Sequence, residues 1–401
     1  MRTNAMTRSI FAAGLLKMLM LYSVILTLTT SCEREPILHL HRGDPVEFCV
    51  VDLDIDVVWD YSLVYGTYYD WRAEWFYGDD AELFGGTGEA AIGYHKPSAF
   101  ELRRYYTDDQ PFAPHTHRPD EHTFEGYRYT DDYNYGFYDV LVWNYIFPSG
   151  DDDAISIIID ERTSLDSVYA STNKTPRYVT VPNKATAIRT HYQPEELFSA
   201  YTQAIDIDRN HTGFEWDPDR ERWVKHLEAT LYPLTYIYLT QVVLHHNNGR
   251  IVAVDGNADL SGMASSTNVN SGYTGSEPVA VNYNCHMKQH INMNGEDVDI
   301  VGGRLLTFGM CNHNNYIVTR GPIPDHQDAD RHYIDCTFIF NNGAEKTMSF
   351  DVTDQVRTRF KGGVLTVHLD VDDIEIPGKT GGSGFDAVVE EEEEVIKEIE
   401  M

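Results

Sequence analysis

The chain lacks any uninterrupted run of about 20 apolar residues, the length a membrane-spanning helix needs. Its longest apolar stretch, residues 18–28, begins directly after Lys17, so a spanning segment is excluded there. Basic residues are scarce. Only 31 Lys and Arg stand against 63 Asp and Glu, a formal net charge of −32. Such a chain repels phosphate backbones and anionic lipid faces, which excludes nucleic acid as a partner and leaves membrane attachment to a covalent lipid. Catalytic signatures are missing as well: there is no Gly-x-Ser-x-Gly elbow, no His-Glu-x-x-His and no phosphate-cradling glycine loop. A carboxylate pair of the glycosidase kind carries no information among so many acids. The sequence therefore calls for no enzyme, no catalytic residues and no cofactor.

What is present begins with a leader. Arg2, Arg8 and Lys17 form a basic lead, residues 18–28 an apolar core, and Thr29, Thr30 and Ser31 precede Cys32. This is the layout of a lipoprotein signal, with Leu28 one place early; the alternative is an ordinary cleaved leader or a buried start to the fold. On the lipoprotein reading residues 1–31 are removed, Cys32 carries the lipid, and more than one acyl chain gives stable anchoring in the outer membrane, at the cell surface.

The remaining 370 or so residues are too many for one small core. With 26 Tyr, abundant Thr and Val, and few patterns of helical period, the class is mostly β. Residues 46–58 alternate, with Val51, Leu53, Ile55 and Val57 on one side and Asp52, Asp54 and Asp56 on the other, a half-buried strand showing its acids to water. Residues 71–77 (WRAEWFY) and 140–147 are further strands, while 194–201 (PEELFSAY) reads as a short helix with Pro and two acids in its first turn. Strand composition lapses over residues 206–222 and resumes at Val224. Beyond it, 224–231, 235–244, 251–254 and 363–376 are strands, 353–360 a short helix, and Asn341-Asn342-Gly343 turns a hairpin between 333–340 and 346–352. The expected division is therefore a leader (1–31), an N-terminal β-sandwich (32–210), a C-terminal β-sandwich (211–377) and a glycine-rich, acidic tail (378–401).

Several residues offer ligands. His115, His117, Glu121 and His122 lie close in sequence, and Cys285, His286, His290, Cys311, His313, His332 and Cys336 scatter over the second half. Zinc prefers tight pairs, and neither set shows a confident shared face, so we assign no metal. Asp206, Asp208, Asn210 and Asp217 have the outline of a calcium loop but lack its sixth-place Gly and twelfth-place Glu; a solvated linker is the alternative. Apart from Cys32, the cysteines are Cys49, Cys285, Cys311 and Cys336, an even number in an oxidising compartment, with one late pair bridging and the others buried. The segment 260–265 (LSGMAS) reads as packing, Leu260, Met263 and Ala264 forming a plug and Gly256 and Gly262 permitting a bend.

The lipobox followed by CEREP, the aspartate-studded first strand, PEELFSAY, LSGMAS and the closing FDVTDQV and GGVLTVHLDVDDIEIPG together resemble a family of Bacteroidales lipoproteins placed with the fimbrillins. The resemblance implies two tandem transthyretin-like, fimbrillin-type β-sandwich domains and a role as a fimbrial tip, anchor or accessory subunit, with other fimbrial subunits and a host or bacterial surface ligand as partners. It carries over no catalytic residues. Subunits of that kind polymerise by lending a strand, which needs apolar residues at every second place. After Pro377 the chain offers glycines and mutually repelling glutamates instead, which argues against a repeating stalk unit. The alternative reading is a glycan-binding lipoprotein of a nutrient-uptake system, with Trp71, Trp75, Tyr105, Tyr106, Tyr127, Tyr133 and Tyr135 stacking on sugar rings.

Overall fold

The computed structural model describes residues 51–59, 71–78, 93–107, 119–146, 156–160, 165–182, 187–313 and 331–378. The leader, Cys32, Cys49, His115, His117 and the tail from 379 lie outside the described residues. The fold is mostly β. In chain order the strands are β1 (Val51–Trp59), β2 (Ala99–Tyr106), β3 (Asp120–Glu125), β4 (Arg128–Tyr133), β5 (Gly136–Asn144), β6 (Ile157–Ile159), β7 (Tyr169–Thr172), β8 (Lys174–Val179), β9 (Ile188–Tyr192) and β10 (Phe198–Ile207). They continue as β11 (Glu215–Asp217), β12 (Arg222–Pro233), β13 (Tyr236–His245), β14 (Ile251–Ala264), β15 (Ser266–Asn268), β16 (Pro278–Met293) and β17 (Glu296–Thr307). The last are β18 (Tyr333–Phe340), β19 (Glu345–Asp351), a short helix α1 (Thr353–Thr358), and β20 (Gly363–Asp370).

Two large curled sheets and a small three-stranded one, β15-β7-β6, result among the described residues. The first runs β3-β2-β5-β10-β12-β1-β4, with β11 beside β12. Its end strands β3 and β4 are consecutive in sequence, separated by Gly126 and Tyr127. Gly126 takes a positive φ of 82°, and the link bonds to both layers through Gly126 N to Ser98 O and Val57 N to Tyr127 O. The two edges are thereby drawn together around a core that includes Ile55, Val57, Phe100, Leu102, Val140 and Leu231. The second sheet runs β19-β18-β14-β16-β17-β13-β20, with β9 attached to β16 and β8 to β9. Strand β16 is its corner, pairing with β14 up to Asn284 and with β17 from Cys285 onward. The core between its layers includes Tyr238, Val242, Leu260, Tyr283, Phe338 and Leu365.

Each large sheet contains a parallel pair of an earlier and a later strand. β1 pairs with β12 from Asp52↔Val224 to Trp59↔Leu231, and β13 with β20 from Tyr238↔Gly363 to His245↔Asp370. The apolar run of β13 is buried on both faces. One face meets the second core, and Ile237, Leu239 and Val243 on the other join the core of the first sheet. Burial of such a side chain stabilises by roughly 1.5–3 kcal/mol, so this shared face binds the sheets strongly.

Several expectations are corrected. Residues 194–201 are not helical: Leu197 to Ala200 are all buried, in β10 and the residue before it. The two acids that suggested a first turn anchor other segments. Glu195 accepts the backbone N–H groups of Ser156 and Ile157 at 2.6 and 2.8 Å, and Glu196 accepts that of His95 at 2.6 Å. Residues 71–77 form a 3-10 turn at Trp71–Ala73 followed by irregular chain. Strand pairing does not follow the division expected at position 210: β11 and β12 belong to the first sheet, and β8 and β9 to the second. The segment 206–222 is structured chain leading through β11 into β12. The three late cysteines, Cys285, Cys311 and Cys336, are buried and form no bridge among themselves.

Candidate functional site

The last of the described strands bears on what this chain can lend to another. β20 lies at the end of its sheet, and Val364 and Leu365 are both fully buried, one in each core. Gln241 on β13 is also fully buried, where its Nε2 donates to Thr366 Oγ1 at 2.9 Å and to Glu74 O at 2.7 Å, while its Oε1 accepts Phe76 N–H at 3.0 Å. One side chain thus ties the closing strand to the segment after the first 3-10 turn. On the other side of β20, Gln355 of α1 acts as a short substitute for a neighbouring strand. Its Nε2 donates to Thr366 O at 2.8 Å and its Oε1 accepts Thr366 N–H at 2.9 Å. An edge strand with open N–H and C=O groups invites another chain to pair, and here a side-chain amide occupies those groups at the middle of the strand.

The acids of β1 are the second feature, and they do not face water as expected. Asp52 and Asp54 are 4% and 1% exposed. Arginines from the β11–β12 turn and from β12 itself cover them. Arg220 reaches Asp54 at 2.9 Å, and Arg222 bridges Asp52 at 3.0 Å and Asp132 at 2.6 Å. Thr130 on β4 donates to Asp54 at 2.6 Å, and Arg128 holds Asp56 at 2.7 Å. Burial alone would raise the Asp54 carboxyl, but the hydrogen bonds from Arg220 and Thr130 outweigh it and hold it below the usual carboxylate range. Removing Arg220 would leave the buried Asp54 without its arginine, the costly case.

The residues singled out from sequence are not gathered into one site. Asp208 closes its own turn, accepting the N–H groups of Asn210 and Thr212 at 2.8 and 3.1 Å. Asp217 closes another, its Oδ1 accepting those of Asp219 and Arg220 at 2.9 and 3.1 Å. Leu260, Met263 and Ala264 are core, and Gly262 sits at a bulge with φ of 84°, where a β-carbon would meet Arg331 O at 2.6 Å. Gly256 has open space instead. Of the aromatics offered for sugar stacking, Trp71, Trp75, Tyr105 and Tyr133 are buried, and Tyr106, Tyr127 and Tyr135 are half-buried against the first core. Sequence reasoning missed a more exposed group. Trp216, 51% exposed, stands edge-on to Trp223 at 5.6 Å, and His211 stacks on Trp223 at 4.8 Å. Its signal was the Trp216 and Trp223 cross-strand pair, hidden in a segment whose acids and Pro read as a linker.

No family model matches the chain, and no curated protein matches it. Solved structures do. A candidate adhesin from Bacteroides ovatus aligns at a TM-score of 0.48 with 14% identity, over 82% of this chain and 94% of that one. The fimbrial anchor protein Mfa2 from Porphyromonas gingivalis aligns at 0.40 with 11% identity, over 80% and 91%. A candidate polysaccharide-binding protein from Bacteroides thetaiotaomicron aligns at 0.39 with 10% identity, over 80% and 91%. At these identities and TM-scores the likeness carries no argument about activity, partners or ligands.

Proposed function

We propose that this chain is a surface lipoprotein, held in the outer membrane through Cys32, that serves as a fimbrial tip, anchor or accessory subunit with a structural and adhesive role. One observation carries the reading: β20, the last of the described strands, is built into its own sheet along eight register pairs and its outer edge is occupied by Gln355. Donating that strand would open both cores, since Val364 would leave the first and Leu365 the second. Residues 378–401 offer no alternating apolar substitute. The chain is therefore suited to a place that ends or attaches a filament rather than one that repeats along it. The leader and Cys32 supply the anchor, and the excess of acid leaves the lipid as its hold on the membrane.

The test is to shear filaments from cells making the tagged full chain and to follow where the protein goes. The chain is expected with the filaments, and deletion of residues 378–401 should not change its share. Cys32→Ala should abolish acyl labelling and release the protein from the membrane fraction. A chain that never accompanies filaments, or that loses them with the tail, contradicts the proposal.

A further inference from the structure

We propose that His246, Asp370 and Asp372 form a binding site for a divalent transition cation of the zinc class. These three residues are the group of metal-competent side chains whose ligand atoms all lie within 4.8 Å of one another among the described residues. The fold brings them together from two directions. The parallel register sets His245, the last residue of β13, opposite Asp370, the last residue of β20. His246 follows with a left-handed φ of 52°, and its Nδ1 lies 3.0 Å from Asp370 Oδ2. Asp370 then caps the 3-10 turn Val371–Asp373, its Oδ1 accepting Asp372 N–H at 3.0 Å.

A second array beside this trio points the same way. Glu296 on β17, His245 on β13 and His368 on β20 form a row across three adjacent strands. Glu296 Oε1 lies 2.8 Å from His245 Nδ1, and His245 Nε2 lies 2.9 Å from His368 Nδ1. With neutral rings the carboxylate must accept from His245 Nδ1–H, so His245 Nε2 accepts from His368 Nδ1–H. That order leaves His368 Nε2 a bare lone pair, two residues from Asp370 on the same face of β20. Glu296 orients His245 and His245 in turn orients His368, a relayed form of the outer-shell hydrogen bonding that fixes metal-ligating histidines.

The donor set decides the metal class. One imidazole with two carboxylates, and a further imidazole close by, suits zinc and its neighbours; calcium and magnesium take oxygen alone. Arg250 pairs with Asp372 Oδ1 at 2.9 Å, but it also donates to Val371 O at 2.9 Å and Ile374 O at 3.3 Å. It can keep its place while the second oxygen of Asp372 takes a cation. Bound there, the cation would join the end of β13 to the end of β20.

The experiment uses the full chain purified in detergent, with zinc chloride and separately calcium chloride, in equilibrium dialysis at about 0.15 M ionic strength so that diffuse attraction to the acidic surface is screened. Saturable zinc binding that calcium does not displace is expected. Asp370→Asn, and His246→Asn, which removes the imidazole but tolerates the left-handed backbone, should each weaken it by at least about tenfold, while His286→Ala leaves it unchanged. Melting of the zinc-free variants alongside the parent shows that they are folded. No saturable zinc binding, or the parent's affinity retained in the His246→Asn and Asp370→Asn double variant, overturns the site.

Discussion

The side-chain amide of Gln355 exchanges two hydrogen bonds with the backbone of Thr366, as a neighbouring strand would. A single residue of α1 thus protects the open edge of β20. Replacing Gln355 by Ala leaves the N–H and C=O of Thr366 without these partners in a half-buried place. The expected cost is about 1–3 kcal/mol in denaturant unfolding, with a rise in self-association measured by light scattering as the exposed edge pairs with another copy. Unchanged stability and unchanged mass would show that the amide protects nothing.

Tyr77 and Gly302 make the second prediction. The ring of Tyr77 lies where a β-carbon on Gly302 would stand, and Lys288 sits over the same ring at 4.4 Å while donating to Tyr77 O at 3.3 Å. The contact joins the segment before β2 to β17 of the second sheet. Gly302→Ala should expel the ring and lower stability by about 1–3 kcal/mol, the range of overpacking in a filled interior. Tyr77→Ala with Gly302→Ala should cost less than the sum of the two single changes, because both act on one contact.

Asp259 and Asp335 face each other across β14 and β18, 0% and 2% exposed. Arg177 reaches Asp259 at 3.1 Å and Asp255 at 3.1 Å, Asn282 donates to Asp259 at 2.9 Å, and Ser349 donates to Asp335, whose second oxygen has no hydrogen-bond partner. Burial, aided by the charge of Asp259 and opposed by Ser349 and Arg177, pushes the Asp335 carboxyl up to about 6. The folded state therefore holds this proton more tightly than the unfolded chain, whose carboxyl titrates near 3.8. Its contribution to stability is fully present below 3.8 and lost as pH rises through 6. At about 1.4 kcal/mol per unit, the loss is about 3 kcal/mol. Asp335→Asn should raise the denaturation midpoint at neutral pH and flatten its fall between pH 4 and 6. A variant less stable than the parent at pH 7.4 would contradict this account.

Much of the second sheet was legible in the sequence because local signals agreed with tertiary need. Asn341-Asn342-Gly343 turns the β18–β19 hairpin, with Gly343 at φ of 78°, and the apolar run of β13 is buried throughout as its composition suggests. Elsewhere the local signal was outweighed. Glu195 and Glu196 looked like first-turn acids, yet their partners lie about 40 and 100 residues away in sequence. The acids of β1 alternated like a wetted face, but Arg220 and Arg222, 166 and 170 residues later, cover them. Such pairings leave no trace in local periodicity. The His246, Asp370 and Asp372 group was hidden for the same reason, since only the parallel β13–β20 register brings positions 124 residues apart together.

The central claim is that β20 stays in its own sheet when the protein takes its place on the cell surface. Leu239 and Val364 are register partners in the β13–β20 pair, at a spacing compatible with a disulfide. The direct measurement compares Leu239→Cys with Val364→Cys in one chain, oxidised and reduced, for the share recovered with sheared filaments. The account predicts the parent's share in both states. Exclusion of the oxidised form, restored by reduction, would show that β20 must leave its sheet and would contradict it.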